Sequence, residues 1–408
     1  MTSNMWPKLR GVQVSFGQWQ GQPVVVLQDP LRLSDRAVAL PQSIAPVLEL
    51  CDGTRDCATL RSALELRTGL RVGPEYIDKL LFELDEALLL DNDHFARVYR
   101  GEIEKYRSAP SRPPTMAGTV YPSSPELLEG ALLEYFNTAS PGAENMPQIE
   151  QVRGLVSPHI DYQRGGAIYA EVWRQAATAA RSADVAIILG TNHFDCRSIF
   201  ALTRQSYSTP WGILSTASDV VDRVVTVLGE GVFDEELHHR MEHSVETAAV
   251  WLHYLVKDRY CELVPVLCGS FQKYIAGGKH PGDDEEIALF VDAVRQATAN
   301  RRTLIVAAGD LAHVGPAFGD RYPVGLAEKA NLSAADSELM AIIAKGDAEG
   351  LFQQVKREGD RRRICGLAPI YLALRLLGET TGKITGYAQC PADQQETSFV
   401  SICGILLS

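Results

Sequence analysis

The chain has 408 residues, of which 46% are apolar and 22% charged, so its composition excludes a collagen-like or wholly disordered protein. Acidic side chains outnumber basic ones by 51 to 39, and the net charge of −12 argues against a nucleic-acid-binding surface. No secretory leader is visible, and no apolar run reaches the ~18–20 residues of a membrane helix, so we expect no membrane segment. The eight cysteines form no C-x-x-C pair, which favours a cytoplasmic protein with reduced thiols.

Residues 1–95 are predicted to form a small winged-helix-like α+β module. Apolar residues alternate at Val12, Val14 and Phe16, and with the later run PVVVL they indicate two strands. Three helical patterns follow, IAPVLELCDG, TLRSALELRTG and VGPEYIDKLLFELDEALLL, and the run ALLLDND is expected to end in a strand. Residues 28–95 carry thirteen acidic and seven basic side chains, which favours protein or peptide docking, or a structural role, over DNA binding.

Residues 96–114 are predicted to form an extended linker, because this stretch is weakly apolar and contains Pro110, Pro113 and Pro114. From residue 115 to residue 408, apolar strand patterns such as DVAIILG, ELVPVLCG and TLIVAAG alternate with amphipathic helical patterns. This alternation predicts an α/β domain with a central, mostly parallel or mixed sheet that helices cover on both faces.

Polar turns that contain histidine follow three of the predicted strands. GLVSP, VAIILG and LIVAAG each lead directly into such a turn. The polar residues of these turns are His159, Asp161, Asn192, His193, Asp310 and His313. Because ligands bind at the carboxyl ends of strands in open α/β sheets, we expect these side chains to share one pocket. Alternatively, each histidine has only a structural hydrogen-bonding role.

A fourth histidine, His243, is expected at the start of a helix, with Glu246 three residues further along the same face. Cys365 either lines the pocket or begins the following helix as a buried thiol. Two imidazoles and one carboxylate with open positions suit Fe(II), and an unligated histidine can act as an acid or base near neutral pH. The adjacent His238 and His239 are expected in a solvated loop.

An ordered set of motifs resembles the Memo family, whose prokaryotic members are often called AmmeMemoRadiSam system protein B. The motifs are MAGTVYPSSPELLEGALLEYF, GLVSPHIDYQRGGAIYAEVW, IILGTNHF, YSTPWGILSTASDVVDRV, MEHSVE, AAGDLAHVGPAFGD, ICGLAPI and SFVSICGILL. The resemblance covers residues 115–408 and implies a fold similar to class III extradiol dioxygenases, which are non-haem Fe(II) enzymes. The segment before it weakly resembles the winged-helix peptide-binding modules related to PqqD.

This resemblance also implies roles for individual residues. His159 and His193 take the two histidine metal positions, and His243 is the pocket histidine that acts as acid or base. The third metal position falls on Ala312, which cannot bind a metal, so a neighbour substitutes or the site holds metal poorly or not at all. The neighbours that can substitute are Asp310, His313 and Glu246. We expect Asp310 to complete the metal site and His313 to join His243 in catalysis.

Two functions are compatible with these residues. The first is a non-haem iron, dioxygenase-like redox enzyme whose substrate binds the metal through adjacent oxygens, with zinc or copper, or no metal at all, as alternatives. The second is a non-catalytic binding or scaffold protein with a vestigial pocket. The family resemblance implies AMMECR-type and radical-SAM proteins as its partners, and a peptide would bind through the N-terminal module.

Overall fold

The computed structural model describes residues 6–138 and 151–408. The chain divides into two compact units, Met1–Ser108 and Ala109–Ser408. None of the helices in these two described ranges is long and apolar enough to cross a membrane. All eight cysteines carry free thiols.

The first unit is a three-stranded antiparallel sheet followed by helices. Its elements are β1 (Gln13–Trp19), β2 (Gln22–Gln28), β3 (Ala37–Pro41), α1 (Pro46–Leu50), α2 (Cys57–Thr68), α3 (Pro74–Glu86) and α4 (Asp93–Ser108). The strands lie in the order β1-β2-β3, and Val25 pairs with Phe16 on one side and with Leu40 on the other. Buried residues of the sheet and of α1, α2 and α3 form one hydrophobic core, so this unit is a small α+β domain.

Three features of this unit differ from the sequence prediction. Strand β3 lies where only helices were expected, and residues 87–92 form no strand but a single bridge between Leu90 and Leu9. Helix α4 occupies most of the predicted linker. It begins where the Asn92 side chain accepts a hydrogen bond from the backbone N–H of Phe95 at 3.0 Å, and it buries Ile103 on one face. The prolines that suggested an extended chain all follow this helix.

The second unit contains the remaining helices and strands. In chain order these are α5 (Pro125–Thr138), β4 (Gly154–Ser157), α6 (Tyr162–Ser182), β5 (Val185–Thr191), β6 (Phe200–Leu202), β7 (Tyr207–Thr209), β8 (Gly212–Leu214), α7 (Ser218–Leu228), α8 (Ser244–Val256), β9 (Glu262–Cys268), α9 (Gln272–Ala276), α10 (Glu285–Thr298), β10 (Thr303–Ala308), β11 (His313–Val314), α11 (Leu326–Ala344), α12 (Ala348–Arg357), α13 (Leu367–Leu377), β12 (Gly382–Pro391) and β13 (Phe399–Leu407). The hairpin of β7 and β8 was not predicted, because three-residue strands are too short to show a periodic pattern.

The central sheet has eight strands and is mixed, which confirms the predicted fold class. The order is β11-β13-β4-β10-β5-β9-β6, and β12 pairs with β13. The four central strands β4, β10, β5 and β9 are parallel, whereas β13, β11, β12 and β6 pair antiparallel at the two sides. The parallel strands are buried on both faces, as crossover connections require.

Two hydrophobic cores lie on opposite faces of this sheet. Along β5, Val185, Ile187 and Leu189 face the core that contains α7, α10 and α13. Ala186 and Ile188 alternate with them and face the core that contains α6 and α8. The adjacent parallel strands β4, β10 and β5 also end together, which brings the turns that follow them to the same edge of the sheet.

Candidate metal centre

Three histidines from separate parts of the chain form a cluster at the carboxyl edge of the sheet. His159 lies two residues after β4, His193 two residues after β5, and His243 directly before α8. The ring centroid of His159 is 4.9 Å from that of His193 and 5.1 Å from that of His243, and the other two centroids are 4.8 Å apart. The sheet topology therefore gathers the imidazoles that the sequence pattern singled out.

The buried His159 ring is held so that its Nε2 atom carries no proton and can act as a ligand atom. Its Nδ1 lies 3.1 Å from the carbonyl oxygen of Ala308, which can only accept, so Nδ1 carries the proton. The backbone N–H of His159 donates to Asp310 Oδ1 at 2.9 Å. Burial, followed by the nearby His193 and His243 rings, holds the pKa of His159 well below its usual value. The ring is therefore neutral, which is the form that binds metal ions.

A single buried carboxylate, Glu242, orients the other two imidazoles. Its oxygens lie 3.1 Å from Nδ1 of His193 and 3.1 Å from Nδ1 of His243. They also accept hydrogen bonds from the backbone N–H groups of His193, His243 and Ser244 at 2.9, 2.8 and 3.1 Å. Burial opposes ionisation of Glu242, but the two imidazoles outweigh it and lower the pKa of this carboxyl well below its usual range. Glu242 was missed in the sequence, although it directly precedes His243.

His243 is the member of the cluster whose pKa is raised. Burial disfavours its protonation, but the charge and hydrogen bond of Glu242 outweigh burial and raise the pKa of His243. The His243 side chain is 33% exposed and that of His193 is 36% exposed, whereas His159 is buried. The cluster is therefore open to a ligand on the side of His193 and His243.

Cys365 supplies a third donor next to His159 and His193. Its Sγ lies 3.3 Å from Nε2 of His159, and one donor atom from each of the three residues lies within 4.8 Å of the others. The thiol contacts the carbonyl oxygen of Asp310 at 3.5 Å, and the Cys365 carbonyl accepts from Thr191 Oγ1 at 3.0 Å. Burial, with a smaller contribution from Asp310, raises the pKa of Cys365 well above its usual value.

The third donor atom near His159 and His193 does not come from the position that the family resemblance suggested. Ala312 is fully buried in the hydrophobic core, and its backbone pairs with Ser401 on β13. Cys365, which the sequence analysis left undecided between the pocket and the helix, lies beside both histidines instead. Two groups of three possible metal ligands lie among the described residues: His159, His193 and Cys365 form one, and His193, Glu242 and His243 form the other. The first group supplies a third donor although Ala312 cannot bind a metal.

Asp310 and His313 lie beside the cluster rather than within it. Asp310 Oδ2 is 3.7 Å from His159 Nε2, and burial raises the pKa of this carboxyl. Nδ1 of His313 lies 3.1 Å from the carbonyl oxygen of Arg363, and its ring packs edge-on against Phe318. Among the described residues, neither side chain belongs to the groups that could hold a metal ion. Their predicted metal-binding and catalytic roles stay predictions.

Asp161 and Asn192, two other predicted pocket residues, have structural contacts. Asp161 is the N-cap of α6 and accepts from the backbone N–H of Arg164 at 3.0 Å. Asn192 is buried, and its side-chain amide lies 3.0 Å from Nδ1 of His238. The expectation that His238 and His239 lie in a solvated loop is wrong, because both are buried.

Glu246 forms an ion pair with Arg112 that stabilises the turn before α8. Its carboxylate lies 2.5 Å from Nη1 of the fully buried Arg112 and accepts a short hydrogen bond from Tyr121. Arg112 also donates to the carbonyl oxygens of His239 and Glu242, at 2.5 and 2.8 Å. Glu246 therefore supports the segment that carries Glu242 and His243 and is not one of the candidate ligands. Arg112 was also missed in the sequence, where a lone arginine in a Pro-rich stretch carries no signal of burial.

Comparison with known protein families gives one match over most of the chain. The family model described as "Memo-like protein" matches residues 112–406. This range contains every residue of the histidine cluster, together with Glu242 and Cys365.

Curated relatives extend this similarity to bacteria and archaea. The chain is 27% identical over 368 residues to a MEMO1 family protein of Aquifex aeolicus, which covers 89% of this chain and 90% of the relative. It is 28% identical to a MEMO1 family protein of Methanosarcina mazei, over 68% of this chain and 91% of the relative. The Aquifex match is longer than the family segment and therefore includes part of the N-terminal unit.

Proposed function

Because the chain belongs to the Memo-like protein family, we propose that it is a metal-dependent redox enzyme that binds Fe(II) at His159, His193 and Cys365. The observation that carries this proposal is the convergence of two imidazole nitrogens and one thiol sulfur within 4.8 Å of one another. Imidazole ligands suit iron, zinc and copper alike, and a thiolate ligand also suits zinc and copper, so the donor set alone favours a transition metal but does not select iron. The similarity of the family fold to extradiol dioxygenases favours iron among these metals.

The hydrogen bonds around the cluster fit a metal site. The Nδ1 atoms of His159 and His193 face oxygen acceptors, which leaves Nε2 of each ring available as a ligand atom. The Cys365 thiol is protonated in the protein without metal, and metal binding would release its proton. Buried Glu242 supplies a fixed negative charge next to His193, one of the three proposed ligands.

The residues next to the proposed metal ligands, His243 and Asp310, have separate roles. When bound, Fe(II) with open coordination positions supplies redox chemistry to a substrate that binds through adjacent oxygens. His243, whose pKa is raised by Glu242, lies next to this open side and can donate a proton to a substrate oxygen. Asp310 orients His159 through the backbone hydrogen bond and is not needed as a ligand in this arrangement.

Metal analysis tests the proposal. The full chain, purified anaerobically from iron-replete cells, should contain near-stoichiometric iron by elemental analysis. Cys365→Ala and His193→Ala should each lose it, because each removes one of the three donors. Cys261→Ala is the matched control, since this buried thiol lies before β9 at the opposite edge of the sheet and should leave the iron content unchanged.

Three outcomes would contradict the proposal. Metal-free protein, or a Cys365→Ala variant with unchanged metal content, would remove the proposed ligand set. Stoichiometric zinc or copper in place of iron would keep the ligand set but would replace the iron-dependent reaction.

The exposed edge of the first unit favours a second function, binding of a protein or peptide partner. Strand β1 lies at the edge of its sheet and exposes Val14, Phe16 and Trp19, with Phe16 75% exposed. An unpaired apolar edge strand can accept an extended peptide as an additional strand. We infer that this edge is where AMMECR-type or radical-SAM partners, or a peptide, would bind.

A further inference from the structure

The second unit has a large cavity at the edge of the sheet opposite the histidine cluster. Its volume is about 820 Å³. Arg153, which precedes β4, and Thr303, the first residue of β10, line it, so it lies at the amino ends of the parallel strands. The carboxyl-terminal halves of α6 and α10 form its walls. We propose that this cavity binds a phosphorylated small molecule.

The charge of the cavity lining carries this proposal. Six basic side chains line it: Arg153, Arg174, Arg295, Arg301, Arg302 and Lys383. No acidic residue is present among the described residues of the lining. In a chain with a net charge of −12, this concentration of positive charge is unusual, and it favours an anionic ligand over a neutral one.

Ion pairs neutralise only part of this charge. Arg174, Arg301 and Arg302 each pair with carboxylates that lie outside the lining. No aspartate or glutamate pairs with Arg153, Arg295 or Lys383 in the described part of the chain. Arg153 donates to the backbone oxygens of Glu379 and Ser408 at 2.5 and 2.7 Å, and Nζ of Lys383 donates to Gln175 Oε1 at 3.0 Å. Acidic side chains therefore do not neutralise these three basic residues, although Arg153 and Arg295 are hydrogen-bonded to backbone oxygens.

Hydrogen bonds to the last carbonyl groups of a helix explain the positions of some of these arginines, but they do not explain the positions of all six basic residues. Arg153 and Arg295 donate to the carbonyl oxygens of Leu377 and Leu376, at the end of α13. Lys383 lies on β12 and donates to no backbone carbonyl in the described structure, and Arg174 lies within α6. Nε of Arg174 is buried and has no hydrogen-bond partner among the described residues, whereas the side chain as a whole is 33% exposed, so a ligand in the cavity could contact its outer part.

The remaining lining favours a small phosphorylated molecule over a bare ion. A volume of about 820 Å³ is in the range of pockets that enclose small ligands. The hydroxyl groups of Thr178, Ser182 and Thr298 line the same cavity, and Leu304 and Leu376 add apolar surface. Guanidinium and ammonium groups bind phosphate oxygens through charge-assisted hydrogen bonds, while the apolar residues can contact the uncharged part of the ligand.

Calorimetric titration of the full chain with inorganic pyrophosphate tests the proposal. The protein is first freed of metal with a chelator, so that binding does not report the histidine cluster. The wild type should bind pyrophosphate saturably, and Arg174→Gln/Lys383→Gln should weaken binding by about tenfold or more, because charge-assisted hydrogen bonds are lost. The control Arg321→Gln/Lys345→Gln removes the same charge from exposed positions outside the cavity and should bind like the wild type.

Several outcomes would overturn the proposal. One is that the wild type shows no saturable binding of pyrophosphate. Another is that the site variant and the control variant lose pyrophosphate affinity equally. Binding to phosphatidylserine vesicles without binding to pyrophosphate would assign the basic residues to a membrane surface instead. If the double variant does not fold, Lys383→Gln alone replaces it, and pyrophosphate should then raise the melting temperature of the wild type more than that of this variant.

Discussion

Glu242 holds two of the three clustered imidazoles in place with one carboxylate. It contacts Nδ1 of both His193 and His243 and accepts three backbone N–H groups, so its negative charge is fixed in position and buried. Arg112 in turn binds the carbonyl oxygen of Glu242 itself. The orientation of the candidate ligand His193 and the raised pKa of His243 therefore depend on the same side chain.

Replacement of Glu242 by glutamine should change both the metal affinity and the pKa of His243. Glu242→Gln keeps the shape but removes the charge, so metal affinity should fall by about 10–100-fold, the usual effect of losing such a supporting group. The pKa of His243 should also fall, because Glu242 raises it. Chelator competition measures the first effect, and histidine NMR titration of metal-free protein measures the second.

Glu236→Gln is the matched control for this variant. Glu236 is a buried carboxylate in the same segment, but its Oε1 accepts from Thr203 at 2.8 Å, and it is not one of the candidate ligands. It should leave metal affinity and the His243 titration unchanged. Equal behaviour of the two variants would contradict a specific role for Glu242.

At the scale of elements, β10 and α13 meet through two glycines that bring Asp310 and Cys365 together. A Cβ atom on Gly309 would lie 2.5 Å from the Cα of Gly366, and one on Gly366 would lie 2.7 Å from the Asp310 carbonyl oxygen. The Gly366 N–H donates to this carbonyl at 2.9 Å. Only glycine permits this close approach, which positions the Cys365 thiol next to His159.

Gly366→Ala should therefore disturb both stability and the metal centre. The added methyl group forces the start of α13 away from the end of β10, and such overpacking costs about 1–3 kcal/mol of unfolding free energy. Metal affinity should fall as well, since Cys365 moves with the helix. Urea unfolding and chelator competition measure the two effects. Gly278→Ala is the control, because its Cβ would meet no atom within 4 Å, and comparable losses in that variant would contradict the steric explanation.

At the scale of the whole molecule, the two compact units carry different candidate functions. All residues of the metal centre and of the cationic cavity belong to Ala109–Ser408, whereas the exposed apolar edge strand belongs to Met1–Ser108. Each unit buries its own hydrophobic core. Changes on the surface of the first unit should therefore affect partner binding without affecting metal content.

The variant Phe16→Ser/Trp19→Ser tests this division of functions. It removes two exposed apolar side chains from β1, so co-purification with AMMECR-type or radical-SAM partners should be lost while iron content stays unchanged. Tyr322→Ser/Leu326→Ser removes comparable exposed apolar side chains from the second unit and should retain the partners. Partner binding that survives the β1 variant would exclude this edge as the docking surface.

The amino-acid sequence alone determined the α/β class, most strands and helices of the second unit, and the histidines that cluster. These follow from local patterns, because apolar periodicity reports burial and strand ends in a parallel sheet share one edge. The winged-helix comparison for the first unit stays a prediction. Strand β3 and helix α4 were missed, because short or weakly apolar segments carry little periodic signal.

Only the tertiary structure decided which third donor joins the histidines. In sequence, Ala312 lies within the motif that the family resemblance pointed to, whereas Cys365 lies more than fifty residues later. In the folded chain, Ala312 pairs with Ser401 on β13 and is buried in the core, whereas the Cys365 sulfur lies 3.3 Å from Nε2 of His159. Side-chain direction and contacts between distant segments depend on packing, which no local pattern encodes.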